Sequence, residues 1–504
     1  MPSHHLKATP ATAIVIGAGI GGLATAIRLA RQGFAVSVYE AAEGPGGKLG
    51  ELHAEGYRFD TGPSLFTLPQ LVEELFALCG ERTADHFNYV RLPEITRYFW
   101  ENGLRLTAHA DPEAFAQEVA AKTGEPAAHV HTFLQDAARK YALAAPFFLE
   151  QSLHRRSTYL TRKAFRAFLS LPRLQTHTTM SRTIHSRFKH PQVRQLFHRY
   201  ATYNGSNPYH APATLNMIPH LEFNEGAWLP KGGLRAIPLA LEALARRQGV
   251  QFHYGQPVQE ILLQGRRATG VRLADGSAHT ARVVVCNLDV FNAYHHLLPG
   301  LRKPHRTLNQ ERSSSALIFY WGVRAQFPQL DVHNIFFTED YPAEFQALFQ
   351  HKSLAADPTV YVNITSKVEA TDAPPGCENW FVMINAPSLD GQDWDTLIPQ
   401  ARAHILTKLS RMLGTDIAPL IETEHLLSPE LIQQRTGSWR GALYGTASNN
   451  RFAAFLRHPN FSKRVQGLYF CGGSVHPGGG IPLCLQSARI VAGLVAKDAG
   501  RARI

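Results

Sequence analysis

Cysteine is scarce. The five in 504 residues, Cys79, Cys286, Cys377, Cys471 and Cys484, are scattered and form no C-x-x-C pair. That excludes a disulfide framework, points to a reducing compartment and leaves no thiolate cluster for structural zinc. The 25 histidines lack ligand spacing, so no metal site is expected. Long apolar runs are missing as well: only the uncharged stretch 11–27 approaches the roughly 18 residues that span a bilayer. It contains Gly17, Gly19, Gly21 and Gly22 with no basic cluster before it, which suits a strand, turn and helix better than a secretory signal. The chain is expected to be cytoplasmic or to lie on a membrane, and not to cross one. Charge is sparse too, 18% against 44% hydrophobic residues, which excludes disorder. A chain of 504 residues exceeds one compact core and implies two or three domains of roughly 100–200 residues each.

What charge there is leans basic. Fifty-one Lys and Arg against 40 Asp and Glu give +11 and a pI near 9.4, a balance that suits nucleic acid or an anionic membrane. The surplus is local: residues 139–194 hold twelve Lys/Arg and one acid, Glu150, and the remainder is balanced. This reads as a surface feature on one element of an otherwise ordinary soluble enzyme. Arg155-Arg156 and the basic residues after them lack the interleaved aromatics of a strand-binding groove, so nucleic acid is not expected as a partner.

The clearest motif is near the start. Ala13-Ile14-Val15-Ile16 reads as a buried strand, Gly17-Ala18-Gly19-Ile20-Gly21-Gly22 as a tight turn opening a helix that Gly33 ends, and Ala35-Val36-Ser37-Val38-Tyr39 as a second strand closing at Glu40. This is the spacing of a dinucleotide fingerprint. Gly17 permits the turn, Gly19 lets the backbone touch a pyrophosphate, and Gly22 lets helix pack on strand, while the helix N-terminus offers N–H groups to the anion. Glu40 can accept both ribose hydroxyls and repels a 2′-phosphate.

The fingerprint serves FAD and NAD alike, and the residues after it discriminate between them. Gly44-Pro45-Gly46-Gly47-Lys48 comes directly after the ribose acid, then Phe59-Asp60 and Gly62-Pro63-Ser64. With these motifs the sequence resembles the flavin-dependent amine oxidase and carotenoid desaturase superfamily. The resemblance implies FAD, with Gly46, Gly47 and Lys48 along the pyrophosphate and ribityl chain, Gly62, Pro63 and Ser64 along the isoalloxazine, and the backbone of Val258 at the adenine. Lys48 stands where Arg is usual, which keeps the charge and loses the planar fork.

Near the other end, Leu468-Tyr469-Phe470-Cys471 reads as a strand, followed by Gly472-Gly473-Ser474-Val475-His476-Pro477-Gly478-Gly479-Gly480-Ile481-Pro482 and a long helix. Pro482 fits that helix's first turn, and a helix N-terminus here would face the flavin's pyrimidine end, with Gly472, Gly473, Gly480, Ile481 and Pro482 as cofactor contacts. His476 is the one candidate base, although Pro477 and Gly478 beside it read as loop-shaping residues. This signature, with Tyr203-Asn204-Gly205-Ser206-Asn207-Pro208-Tyr209 and Trp228-Leu229-Pro230-Lys231-Gly232-Gly233, makes the sequence similar to the bacterial phytoene desaturase type of carotenoid desaturases over essentially its full length. Its Gly46-Gly47-Lys48, Asn204-Gly205-Ser206-Asn207 and Gly472-Gly473-Ser474 look more like the 1-hydroxycarotenoid 3,4-desaturase branch than the phytoene branch. The implied chemistry is loss of two hydrogens from an allylic C–C bond, by hydride transfer to flavin and easy loss of a proton, with no dyad or triad required.

The implied fold is mixed α/β: a Rossmann-like FAD-binding domain of the amine oxidase and phytoene desaturase type, from residues 10–84, 226–300 and 435–504. A split substrate domain, 85–225 and 301–434, contains a sheet and a basic helical region, 139–194. At about 100° per residue, Leu160, Ala164, Phe168 and Leu171 fall on one arc of a helix expected between 157 and 172, and Arg162, Lys163 and Arg166 on the other. Such a helix, with Phe165 and Phe168 as its aromatics, can lie in a lipid interface, and a water-insoluble polyene has to be collected from the bilayer. The expected partners are a carotenoid, the inner face of the cell membrane, and a quinone or oxygen as electron acceptor. Phytoene desaturation, another flavin oxidase activity and a flavin-free binder resembling prenyl-protein chaperones are the alternatives.

Overall fold

A computed structural model describes residues 10–449 and 457–500; parts of the segment expected over 435–504 lie outside the described residues. β1 (Thr12–Ile16), α1 (Ile20–Arg31) and β2 (Ala35–Tyr39) form the expected βαβ unit. β1 is Val/Ile-rich and buried on both faces, as a central parallel strand must be. It sits in a five-stranded parallel sheet between β2 and Val283–Cys286, with Gln251–His253 beyond β2 and Leu468–Phe470 beyond Val283–Cys286. Three well-separated stretches of chain therefore build one sheet. α1 packs on it together with the C-terminal helix Ile481–Asp498, sharing a core that includes Leu23, Ile27, Leu485 and Val491.

A second, seven-stranded sheet runs in the order Ile421–Leu427, Ser315–Val323, Glu378–Ala386, Val360–Ile364, His333–Phe336, Glu94–Phe99 and Arg105–His109. Its pairs are antiparallel except His333–Phe336 with Glu94–Phe99. All nine residues of Ser315–Val323 are buried. One face carries Phe319, Trp321, Val382 and Trp380 against the helix Trp394–Leu413; the other turns Ile318, Tyr320 and Phe381 toward Tyr57 and Phe59 of the first domain.

The basic region departs from expectation. It is several short helices rather than one element, and many of its charges are engaged. Lys140 is buried and donates to Gln175 at 2.7 Å, its pKa lowered to about 8 by desolvation. Arg155 pairs with Asp498 and Arg187 with Asp136. The expected single helix splits into a 3-10 turn, Arg156–Leu160, the helix Arg162–Leu169 capped by Thr161 accepting from the Ala164 N–H, and a second 3-10 turn, Leu171–Leu174. Its polarity also differs. Ala164 faces inward with Ala167, against Phe147 and Leu153, whereas Leu160 (88%), Phe165 (67%), Leu169 (66%) and Phe168 (49%) are exposed. Alanines allow the close approach to the Phe147-Phe148 turn, and the bulky side chains are left outside beside Arg162, Lys163 and Arg166.

His198, at the end of the helix Pro191–His198, is buried, its Nε2 without a partner among the described residues, and desolvation lowers its pKa to about 3, with His185 adding to the effect. The unfolded chain therefore binds a proton below about pH 6.5 that the folded chain refuses, so this stability contribution falls as pH drops. Between pH 7.5 and 5 the loss from this one group is about 2 kcal/mol at 1.36 kcal/mol per pKa unit. His198→Phe removes it. The variant's unfolding free energy, measured by denaturant titration, should improve by about that amount relative to wild type over the same pH range; a constant difference would mean that His198 is hydrated or charged in the fold.

Candidate cofactor and substrate site

The two sheets meet at a cavity of about 490 Å³. Its first wall is made of turns. Gly19, Gly46, Gly47, Lys48, Gly62, Pro63 and Ser64 line it together with Gly472, Gly473, Gly480, Ile481 and Pro482. The opposite wall comes from the seven-stranded sheet and the helices around it and includes Ile318, Phe381 and Met383, with a polar group of Arg199, Tyr203, Glu222, His333, Tyr341 and Tyr361.

The turns are glycine for steric reasons that can be named. Gly17 has φ +95°, in the region glycine favours. A Cβ at Gly22 would overlap the Gly17 carbonyl oxygen, and one at Gly62 would overlap the carbonyl oxygen of Lys48. Gly22 thus seats helix on turn, and Gly62 lets two cavity-lining loops touch backbone to backbone. Glu40 anchors the first turn, its carboxylate accepting from the N–H groups of Ala18 at 2.6 Å and Ala42 at 2.9 Å.

Both helices that open at the cavity lack an N-terminal side-chain cap and carry no acid in the first turn. Their first N–H groups are therefore available to an anionic ligand. Lys48 donates from Nζ to the Leu443 carbonyl at 2.7 Å; desolvation lowers its pKa and the nearby Asp289 opposes that shift. Donor-rich helix ends, a lysine and a side-chain-free cradle fit an anionic dinucleotide such as FAD, which Gly19, Gly46, Gly47 and Lys48 would hold at its pyrophosphate.

Four expected contacts, Gly17, Gly22, Glu40 and Val258, do not line this cavity. Gly17 and Gly22 act on the turn itself. Val258 opens the antiparallel sheet of Val258–Gln264, Arg267–Leu273 and Ala278–Thr280, beyond the end of β2. His476 does not line it either. It is 1% exposed, its Nε2 lies 2.8 Å from the Gln151 carbonyl, and desolvation lowers its pKa to about 3. A neutral, enclosed imidazole held by a backbone carbonyl tethers the loop; it is not placed as a base. Arg162, Lys163, Arg166, Phe165 and Phe168 do not line the cavity either.

Several residues escaped the sequence reading. Asn287 lies over the first turn, where a Cβ on Gly19 or Gly21 would meet its amide. Arg235 donates to the carbonyls of Pro45 and Leu49, pinning the second glycine turn from the Lys231-Gly232-Gly233 side. Arg58 bonds Asp60 at 2.7 Å, Asp372 at 3.2 Å and the Gly232 carbonyl at 2.9 Å. Only Arg235 had a local signal, its position two residues after the glycine pair.

Comparison with known proteins bears on the cofactor and the chemistry. A family model described as Flavin containing amine oxidoreductase matches residues 20–496. A 1-hydroxycarotenoid 3,4-desaturase from a Flavobacterium species is 50% identical over 483 residues, 96% of this chain and 98% of that protein. A 4,4'-diaponeurosporene oxygenase from Staphylococcus aureus is 34% identical over 484 residues, 95% and 97% of the two chains. Among solved structures, cyclohexylamine oxidase from Brevibacterium oxydans shares the fold, with a TM-score of 0.59 at 18% identity over 98% of this chain and 100% of that one.

Because the cradle has no room for a side chain at Gly62, Gly62→Ala should purify without its flavin, whereas Gly493→Ala, in the C-terminal helix where an added Cβ meets nothing within 4 Å, should retain it. The ratio of visible flavin absorbance to protein absorbance checks this; equal ratios would show that the loop contact does not shape the cofactor seat.

Proposed function

The chain belongs to the flavin-containing amine oxidoreductase family and, within it, to the carotenoid desaturases, and on that premise we propose that it is an FAD-dependent enzyme that desaturates the 3,4 bond of a 1-hydroxycarotenoid. The observation that carries this reading is the 50% identity, running almost end to end, with a protein of that activity. The cavity supports it by joining a dinucleotide cradle to an aromatic and aliphatic wall. The intact cradle disfavours a flavin-free binder.

FAD, when bound, supplies the two-electron acceptor that takes a hydride from the allylic carbon. The chain's own contribution is placement. The cradle fixes the cofactor, the sheet wall formed by Ile318, Phe381 and Met383 excludes water, and the substrate is held so that one C–H bond faces the acceptor. The adjacent proton then leaves a cation already delocalised over the polyene, a loss that needs no strong base.

The exposed Leu160, Phe165, Phe168 and Leu169, beside Arg162, Lys163 and Arg166, support a peripheral attachment at the inner membrane face through which the polyene enters. Arg155, next to this segment, also forms part of a basic cleft with Arg266, Arg267, Arg282, Lys463 and Arg464, so anionic headgroups would meet more than the helix alone. A membrane quinone is then the acceptor nearest to hand for reoxidising the flavin.

Two experiments test this reading. In a pigment-producing bacterium, expression should red-shift the carotenoid spectrum when a 1-hydroxycarotenoid is supplied; a shift only with phytoene would move the enzyme to the phytoene branch. With liposomes containing anionic lipid and the substrate, the triple change of Arg162, Lys163 and Arg166 to Glu should abolish flotation and slow turnover, and adding quinone should accelerate the wild type. Unchanged flotation would remove the docking proposal, and quinone-independent turnover in oxygenated liposomes would assign reoxidation to oxygen.

A further inference from the structure

The wall facing the cradle is more polar than a hydrocarbon requires. Arg199 and Glu222 form a buried ion pair at 2.8 Å, and Arg199 also donates to the hydroxyls of Tyr98 and Tyr200, while Tyr200 and Tyr203 donate to Glu222. These bonds use Nε and Nη2 of the guanidinium; Nη1 has no hydrogen-bond partner among the described residues. Beside it runs a relay that starts at the cofactor loop: Ser64 Oγ lies 2.7 Å from the Tyr361 hydroxyl, which lies 2.7 Å from His333 Nδ1.

The tautomer of His333 follows from its neighbour. Asn363 Nδ2 donates to the Val332 carbonyl at 2.8 Å, which orients the amide, and the same nitrogen sits 3.2 Å from His333 Nδ1. An amide nitrogen only donates, so Nδ1 accepts and the ring proton is on Nε2. That Nε2–H is buried and without a partner among the described residues. The ring stays neutral, because desolvation lowers its pKa to about 3, with Arg199 adding to the effect. The hydroxyl of Tyr341, a residue 4% exposed that lines the same cavity, makes no hydrogen bond among the described residues.

Three donors on one cavity wall cannot be satisfied by a polyene, and one of them, the His333 Nε2–H, is fully buried without a partner among the described residues. An oxygen on the substrate would accept from it. Resting on the reading of a 1-hydroxylated substrate, we propose that Arg199, His333 and Tyr341 form an anchor for the tertiary hydroxyl, and that this anchor sets which bond of the polyene reaches the flavin. The geometry suits the regiochemistry: C1, which bears the hydroxyl, is separated from the reacting C3–C4 bond by C2 alone, so its binding group has to border the cofactor loop. Ser64 lies on that loop and is two hydrogen bonds from His333. An isoprenoid chain offers near-identical apolar segments that could slide along a smooth tunnel; one fixed oxygen removes that ambiguity.

The test uses the full-length flavin-loaded enzyme with liposomes carrying either a 1-hydroxycarotenoid or the same polyene without the hydroxyl, and reads the ratio of kcat/KM for the two. Tyr341→Phe deletes an oxygen with no hydrogen bond among the described residues, so its unfolding midpoint should hold or rise, while the preference for the hydroxylated polyene falls about tenfold. His333→Leu should lower the preference further and yield products desaturated at other positions, identified by their mass spectra. Flavin content reports that each variant is folded. A wild type that treats both polyenes alike overturns the substrate reading on which the anchor rests; a selective wild type whose selectivity survives both substitutions overturns the anchor alone.

Discussion

The guanidinium of Arg58 holds the two halves of the molecule in register. It lies between Asp60, on its own strand, and Asp372, across in the seven-stranded sheet's half, and also reaches the Gly232 carbonyl. A buried arginine between two carboxylates is expensive to desolvate and strongly destabilising to break, so the arrangement persists only as a complete set. It also explains a glycine: a Cβ at Gly233 would overlap the Arg58 guanidinium. Asp60 accepts from the Leu234 N–H as well, at 3.0 Å to each of its oxygens, and two residues later the chain becomes the Gly62-Pro63-Ser64 loop. The cavity's cofactor side is thereby located relative to its substrate side by one ionic knot, even though the segments involved are distant in sequence.

That knot shows where sequence reasoning reaches and where it stops. β2 begins and ends where its alternation of small and β-branched residues places it, and the turn glycines are readable because each performs a local backbone task. Asp60 is legible as part of the motif that leads into Gly62-Pro63-Ser64, but its ionic role is not: Arg58, a charge in a strand, reads as solvent-facing until the partner half is known, and Asp372 sits in a 3-10 turn with no signature. Asn287 is similar: it follows a strand recognisable from Val283-Val284-Val285, but its role over the first turn appears only when that strand is seated beside β1.

The segment 157–172 shows a different kind of failure. Periodicity alone assigned Ala164 and Phe168 to one apolar face, yet packing depends on size as well as polarity. Two alanines spaced three apart allow the backbone to come close to Phe147, and this close approach satisfies the helix's inward side without the larger residues. The consequence is an outward face that is aromatic, aliphatic and cationic together. In water that face exposes apolar area for no gain; at a lipid interface the same residues are compatible with one another, rings below and cations at the headgroups.

The electrostatics of the cavity fit hydride removal from a hydrocarbon. As hydride leaves, positive charge develops on the polyene, and a bare cation nearby would oppose it. Arg199 is such a cation, but Glu222 at 2.8 Å neutralises it within the wall, so the substrate meets a dipole rather than a net charge. His333 and His476 are held neutral by burial and add no charge. The cation on the cofactor side is Lys48, which lines the cavity with the glycine turns, where an anionic pyrophosphate would receive it. Lys48 thus puts positive charge where the cofactor is anionic, and Glu222 cancels that of Arg199 within the wall, which leaves Arg435 as the other cation on the lining.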